Sequence, residues 1–162
     1  MAEITQDMID IIESSKLMFV ATVRPDGTPN VSPKGSVRVL DSGHLIFADI
    51  ASPQTVANLR NNPAVEVNAV DFLSRRGYRF RGTAQILDPG DEDFEWIAAW
   101  LRQTHGEQTP CHHAVKIAVS DTAELLSPGY TVGHIPEPEL RQAWIKKYGL
   151  TESTESASGP MC

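Results

Sequence analysis

Four arginines, Arg75, Arg76, Arg79 and Arg81, fall within seven residues of a chain that is otherwise acidic. Two more cations, Lys34 and Arg38, share one parity of an alternating stretch, so a strand there presents both on one face. Arg79 and Arg81 share a face in the same way. Cations set side by side repel unless an anion, a partner acid or solvent lies between them. For any single strand arginine the solvated or salt-bridged reading is the stronger one. Ser52-Pro53 opens a helix, and the first free N–H groups of a helix form an anion-friendly end. Together these positions point to a phosphate-bearing ligand. Cys111-His112-His113 offers sulfur and imidazole, but adjacent histidines on a strand point to opposite faces and no CxxC or HxxxH pair accompanies them. That run reads as a loop-to-strand junction, with no metal site. No GxGxxG, P-loop, GxSxG or HExxH is present, and no acid–base pair or triad stands out. Trp96 and Trp100, one helical turn apart, belong to core or to a subunit interface.

The elements that must position these residues come from a chain of 162 residues with 14 Lys+Arg against 21 Asp+Glu, a net charge of −7. That size suits one domain, expected over residues 1–150, with a core that needs no disulfide or metal staple. The acidic balance argues against broad binding to nucleic acid or to an anionic membrane surface. Two cysteines, Cys111 and Cys162, make no disulfide framework and fit a reducing cytosol. No basic, apolar leader opens the chain and no apolar run approaches the ~20 residues of a membrane span, so a cytoplasmic protein is expected.

Ile4, Met8, Ile11 and Ile12 recur at helical spacing behind Thr5, a candidate N-cap. Leu17 to Val23 is an apolar run stopped by Arg24-Pro25-Asp26-Gly27, a turn signature that predicts a hairpin. In the next stretch Val31, Pro33, Gly35, Val37 and Val39 alternate with Asn30, Ser32, Lys34, Ser36 and Arg38, predicting one long strand with an apolar and a polar face. Pro33 and Gly35 demand a bulge or an open edge within it. Strands are expected again at residues 44–48, 65–69, 78–86 and 113–120, and helices at 53–61 and 91–104. In the second helix Phe94, Ile97, Ala98 and Leu101 form the buried stripe. Residues 137–148 predict a terminal helix, and the tail 151–162 reads as disordered. Six strands with short interleaved helices predict a mainly β fold, a small antiparallel barrel rather than βαβ units.

The run FVATVRPDGTPNVSPKGSVRVLDSGHLIFADIASPQTVANLRNNPAVEV, followed by GYRFRGTAQIL, resembles the pyridoxamine 5′-phosphate oxidase-like family of FMN-binding split barrels. The resemblance covers about residues 15–88, and LLSPGY…ELRQAWIKKYG is similar to the C-terminal part of other members. It implies a six-stranded Greek-key split barrel with short flanking helices, working as a homodimer with two FMN sites at the subunit interface. It also implies ring contacts along Pro33, Lys34, Gly35, Ser36 and Val37, and phosphate contact by Arg38, Ser52, Gln54 and Thr55. The better-studied oxidases carry basic residues near the positions of Gln54 and Thr55. Here both are neutral, which leaves the phosphate to Arg38, backbone N–H groups and the cluster that includes Arg79 and Arg81. The deazaflavin F420 is the alternative cofactor among relatives. The Arg-containing end segment that helps the true oxidases hold pyridoxamine phosphate has no counterpart, His134 and Arg141 being the nearest candidates, which argues against vitamin B6 oxidation.

With FMN bound, the cofactor would carry the chemistry by hydride transfer at N5 with a small-molecule substrate, and the protein would position and shield it. Lys34 near the pyrimidine edge would favour the reduced form. A flavin-storing or sensing protein without turnover is the alternative of a different class. A third reading, a single-stranded nucleic-acid platform built on Tyr78, Arg79, Phe80 and Arg81, is opposed by the net charge and by the inward parity of the two aromatics.

Overall fold

The structure, a computed structural model, describes residues 2–151. The tail expected to be disordered therefore lies, apart from Thr151, outside the described residues. The elements in chain order are α1 (Gln6–Ser15), β1 (Met18–Val23), β2 (Pro29–Lys34), β3 (Arg38–Asp41), β4 (His44–Asp49), α2 (Pro53–Asn61), β5 (Ala64–Asp71), β6 (Arg76–Leu87), α3 (Glu92–His105), β7 (His113–Leu126), α4 (Pro128–Thr131) and α5 (Glu137–Lys147). All strand pairs are antiparallel, in the order β2-β1-β5-β6-β7-β4-β3. The two edge strands, β2 and β3, are consecutive in the chain and joined only by Gly35, Ser36 and Val37. Three residues bridge no more than about 14 Å between the flanking Cα atoms. The sheet must therefore roll until its edges nearly meet, a barrel left split where β2 and β3 do not pair.

Seven strands stand where six were expected, because the long strand over residues 30–39 is two strands. Proline cannot donate to a ladder, and Gly35 follows it after one residue, so the ladder stops at Lys34 and resumes at Arg38 on the other side of the split. The expected alternation holds within β2, but its polar side faces in. Lys34, Ser32 and Asn30 pair with Met18, Val20 and Thr22, all buried, whereas Val31 is 61% exposed. The break then reverses the sense, and Val37 is fully buried.

The hairpin before β2 forms as its turn residues require. Gly27 takes φ 84°, and Asp26 Oδ1 accepts from Thr28 N (3.0 Å) and Thr28 Oγ1 (2.7 Å). Phe47, Phe80, Val20, Val67 and Ile117 fill the barrel, and Met8, Ile11 and Ile12 of α1 close it from one end. Thr5 stands at the N-cap without a side-chain hydrogen bond. A second cluster lies outside the barrel, where Phe94, Ile97, Ala98 and Leu101 of α3 cover Ile46, Ala48 and Ala114. That helix is capped by Asp91, whose carboxylate accepts from Asp93 N and Phe94 N.

β7 runs six residues beyond its predicted end, to Leu126, because its second half pairs with the start of β6 (Arg76↔Leu126). Those residues are mostly exposed and show no apolar period, so cross-strand hydrogen bonding rather than burial extends the strand. A bulge between Arg81 and Gly82 separates the two halves. After β7 comes the short α4, whose N-cap Ser127 side chain accepts from Gly129 N.

The N- and C-terminal helices are tied to the sheet by one ion cluster. Asp7 receives two hydrogen bonds from Arg76 (2.9 and 2.7 Å) and one from the Tyr78 hydroxyl (2.5 Å), while Arg76 Nε lies 3.0 Å from Glu137 of α5. The Arg76 hydrogen bonds, then that of Tyr78, hold the Asp7 carboxyl down to about 2 from its ordinary 3.8. A lowered carboxyl stabilises the fold above its unfolded value and loses that contribution as pH falls through the folded one. Thermal melts should therefore show a loss of about 1 kcal/mol between pH 4 and pH 2, the full shift being discounted because the Asp7 side chain is 45% exposed. Asp7→Asn removes this part of the acid sensitivity, and an unchanged acid limb in the variant would refute the assignment.

Candidate functional site

The split in the barrel opens a cleft of about 330 Å³, walled by Ser32 to Ser36 on one side and by Ala48 and Ile50 to Ser52 on the other. Each wall is fixed by hydrogen bonds of its own residues. Ser36 is buried, and its hydroxyl donates to Ala48 O (3.0 Å) and accepts from Ala48 N (3.2 Å), so the break is pinned across the split to β4. The turn from β4 into α2 is built on Asp49, whose Oδ1 accepts from Ser52 N (2.9 Å) and Ser52 Oγ (2.7 Å). Ser52 thus spends its side chain on Asp49 and does not cap the helix, while its carbonyl accepts from Thr55 N and Val56 N. A polar chain running inward from the surface fixes α2 against β1: Gln54 Nε2 donates to Asn58 Oδ1 (2.7 Å), and the buried Asn58 Nδ2 donates to Thr22 Oγ1 (2.9 Å).

Lys34 is the decisive side chain of this cleft. It is 7% exposed, and its Nζ donates to Ser32 Oγ (2.6 Å) and lies 3.5 Å from Pro33 O, 5.9 Å from the centre of the Phe47 ring. Among the described residues no carboxylate stands within 4.0 Å of it. Burial pushes the Lys34 ammonium below the usual lysine range, with the more distant Asp49 pulling the other way. A buried cation without a counter-ion is costly, and here it faces an open cleft, where a ligand carrying a negative or strongly polarised edge would relieve it.

The remaining predicted positions divide. Pro33, Lys34, Gly35, Ser36 and Ser52 all line the cleft. Val37 turns its side chain into the core and does not line the cleft. Arg38 stacks its guanidinium 3.9 Å above Trp100 of α3 and donates through Nη1 to Val37 O (2.6 Å) and Gly35 O (3.3 Å), bracing the break itself. Gln54 is committed to Asn58, and Thr55 is buried. Arg79 and Arg81 lie on the outer face of β6, paired with Glu66 at 2.9 and 3.5 Å, Arg81 also 3.5 Å from Asp121. The structure does not bring them to this cleft. Arg75 stacks 4.1 Å from the Trp144 ring, so the positive zone expected at Arg75 to Arg81 is largely compensated within the chain. His134 and Arg141 do not line the cleft either, Arg141 being 3.2 Å from Asp71.

A second cleft, of about 470 Å³, shares Ile50, Ala51 and Ser52 with the first and continues along α2 to Arg60, His112 and His113. Arg60 is not among the residues singled out from the sequence. Its signal was the i, i+4, i+7 spacing from Pro53 through Ala57, which sets all three on one side of α2. The two histidines reach the cleft because His113 pairs with Asp49 across β4 and β7. Among the described residues no cluster of three metal-ligating side chains occurs.

A family model described as pyridoxamine 5′-phosphate oxidase matches residues 4–125. The chain belongs to the pyridoxamine 5′-phosphate oxidase family. Group A Streptococcus HupZ is 34% identical to this member, over 76% of this chain and 95% of that one, with a TM-score of 0.68. A candidate pyridoxamine 5′-phosphate oxidase of Lactobacillus delbrueckii is 26% identical over 75% of this chain and 93% of its own, TM-score 0.63. An uncharacterised protein of Methanocaldococcus jannaschii is 30% identical over 91 residues, and the chain spans 60% of that curated relative's length. The fold alone is shared with an FMN-binding protein of Syntrophomonas wolfei (14% identical, 72% and 82% coverage, TM-score 0.63) and with an F420 reductase (21%, 74% and 98%, 0.59). No helix among the described residues of this family member is long and apolar enough to cross a membrane.

Proposed function

We propose that the protein is an FMN-binding oxidoreductase acting on a small-molecule substrate. The buried, carboxylate-free Lys34 at the wall of the split carries this reading. The polar groups fit a flavin: the Lys34 ammonium and the Ser32 hydroxyl can donate from one wall, and the Ser52 hydroxyl, whose proton goes to Asp49, can accept on the other. When bound, FMN supplies hydride exchange at its N5. Lys34 would lie against the pyrimidine edge, where negative charge gathers on reduction, and Ser36 would keep the break at a fixed distance from β4. Pro33, Ile50 and Ala51 give the cleft apolar surface that excludes water from a flat ring.

The site as proposed is shared by two copies of the chain. Outside the cleft, Phe19, Ala21 and Val23 pair with Pro33, Val31 and Pro29 to make an apolar outer face, with Leu17, Phe19 and Val31 exposed by 48%, 47% and 61%. A second copy is the occupant proposed for that face, because Pro33 belongs both to it and to the cleft wall.

Titration of purified protein with FMN and with F420, followed by visible absorption, tests the cofactor. A perturbed flavin spectrum with saturable binding is expected, together with NAD(P)H oxidation in the presence of an acceptor. Binding of F420 alone would favour a deazaflavin reductase, and bound FMN without turnover a storage or sensing role. No binding of either would refute the proposal. Sedimentation equilibrium on the same sample should give a dimer, and a monomer at micromolar concentration would overturn the shared site.

A further inference from the structure

We propose that Arg60, held in place by His113, binds the phosphate end of the flavin nucleotide in the second cleft. The inference rests on the flavin reading above and assigns the cofactor's charged end to residues on the far side of α2. Arg60 is exposed and reaches into the cleft, and among the described residues its one partner is His113 Nε2, 3.3 Å from its Nη2. The other ring nitrogen, His113 Nδ1, lies 2.9 Å from Asp88 Oδ1. With the proton on Nδ1, as that carboxylate favours, Nε2 accepts from the guanidinium. His113 thus orients Arg60 without bringing a carboxylate against it. Arg76, Arg79, Arg81 and Arg141 are different: each has a carboxylate within 3.5 Å.

One acid lies in the cleft. Asp49 is buried, and its Oδ1 is turned to the backbone and hydroxyl of Ser52. It lines the second cleft next to Ile50, Ala51 and Ser52, the residues that the two clefts share as walls. Each cleft holds one cation, Lys34 in the first and Arg60 in the second. A neutral isoalloxazine derivative would use only the first, whereas a nucleotide with a phosphate monoester would use both. A guanidinium fork suits phosphate oxygens better than a point charge does. Arg38 already spends Nη1 on two backbone carbonyls and its face on Trp100, so Arg60 has the freer donors.

The test compares FMN with riboflavin, which lacks the phosphate, by fluorescence quenching on the full chain. Wild type should prefer FMN by roughly 100-fold, and Arg60→Gln should weaken FMN by about 30-fold while moving riboflavin by less than about threefold. His113→Leu, removing the orienting acceptor, should lower FMN affinity in part and again spare riboflavin, a selectivity that a merely structural role would not produce. An FMN-to-riboflavin ratio in Arg60→Gln equal to wild type overturns the inference while leaving the flavin site standing. Wild type that binds neither compound overturns the flavin reading and this inference with it.

Discussion

Replacing Lys34 by methionine should stabilise the ligand-free protein and remove most of its affinity for flavin. The two effects have one cause. Lys34 is 7% exposed, is bonded only to the neutral oxygens of Ser32 and Pro33, and is pushed by burial towards its uncharged form. A methionine of similar length keeps the packing over Phe47 without the cost of a buried charge, a gain of about 1 kcal/mol in a urea melt. A unit charge about 4 Å from a developing anion contributes up to about 4 kcal/mol at a partly screened site. Losing it should weaken FMN binding by at least ~10-fold. It should also lower the reduction potential of the bound cofactor by roughly 60 mV, equivalent to about 100-fold between the affinities of the two redox forms. A variant less stable than wild type, with unchanged flavin affinity and potential, would show that the lysine is a structural element of β2 and nothing more.

Gly77→Ala should be the most damaging single methyl group that can be added to the sheet. Gly77 pairs with Val70 in the β5–β6 hairpin, next to the turn where Arg75 adopts φ 59°. A Cβ there would stand 2.1 Å from Ala69 O and 2.8 Å from Val70 Cα. Both are backbone atoms of the paired strand, so no side chain can swing aside. The hairpin must open, and with it go the pairing of β5 with β6 and the seat of the Asp7–Arg76–Tyr78 cluster. A loss of about 3 kcal/mol is expected, a drop of roughly 10 °C in Tm for a chain of this size. A change below about 0.5 kcal/mol would mean that the strands approach less closely than the geometry has it.

Much of the architecture was legible in residue order. The α3 stripe Phe94, Ile97, Ala98 and Leu101 is buried as its spacing requires, and α2 begins at Pro53 and ends at Asn61 as its boundary residues foretell. Pro33 and Gly35 announced an irregularity, and the irregularity is the opening of the candidate site. What alternation could not show was which parity faces in. Val31 and Pro33 read as a core face, yet the polar set faces the interior, because antiparallel pairing puts Lys34, Ser32 and Asn30 on the side of Met18, Val20 and Thr22. The arginine cluster misled for a related reason. Closeness along the chain marks a positive zone only when the facing strand is neutral, and Glu66 of β5 sits opposite Arg81.

The sequence by itself determined most of the elements, the family to which the chain belongs and the place where the ladder must break, since propensity, turn chemistry and the missing N–H of proline are local properties. Tertiary structure decided which charges are free. Lys34 lacks a carboxylate because the rolled sheet buries it beside Ser32, and Arg60 meets a histidine rather than an acid because β4 pairs with β7 and so carries His113 to α2. Charge compensation acts through space over a few ångströms, between residues as far apart in sequence as Asp7 and Arg76.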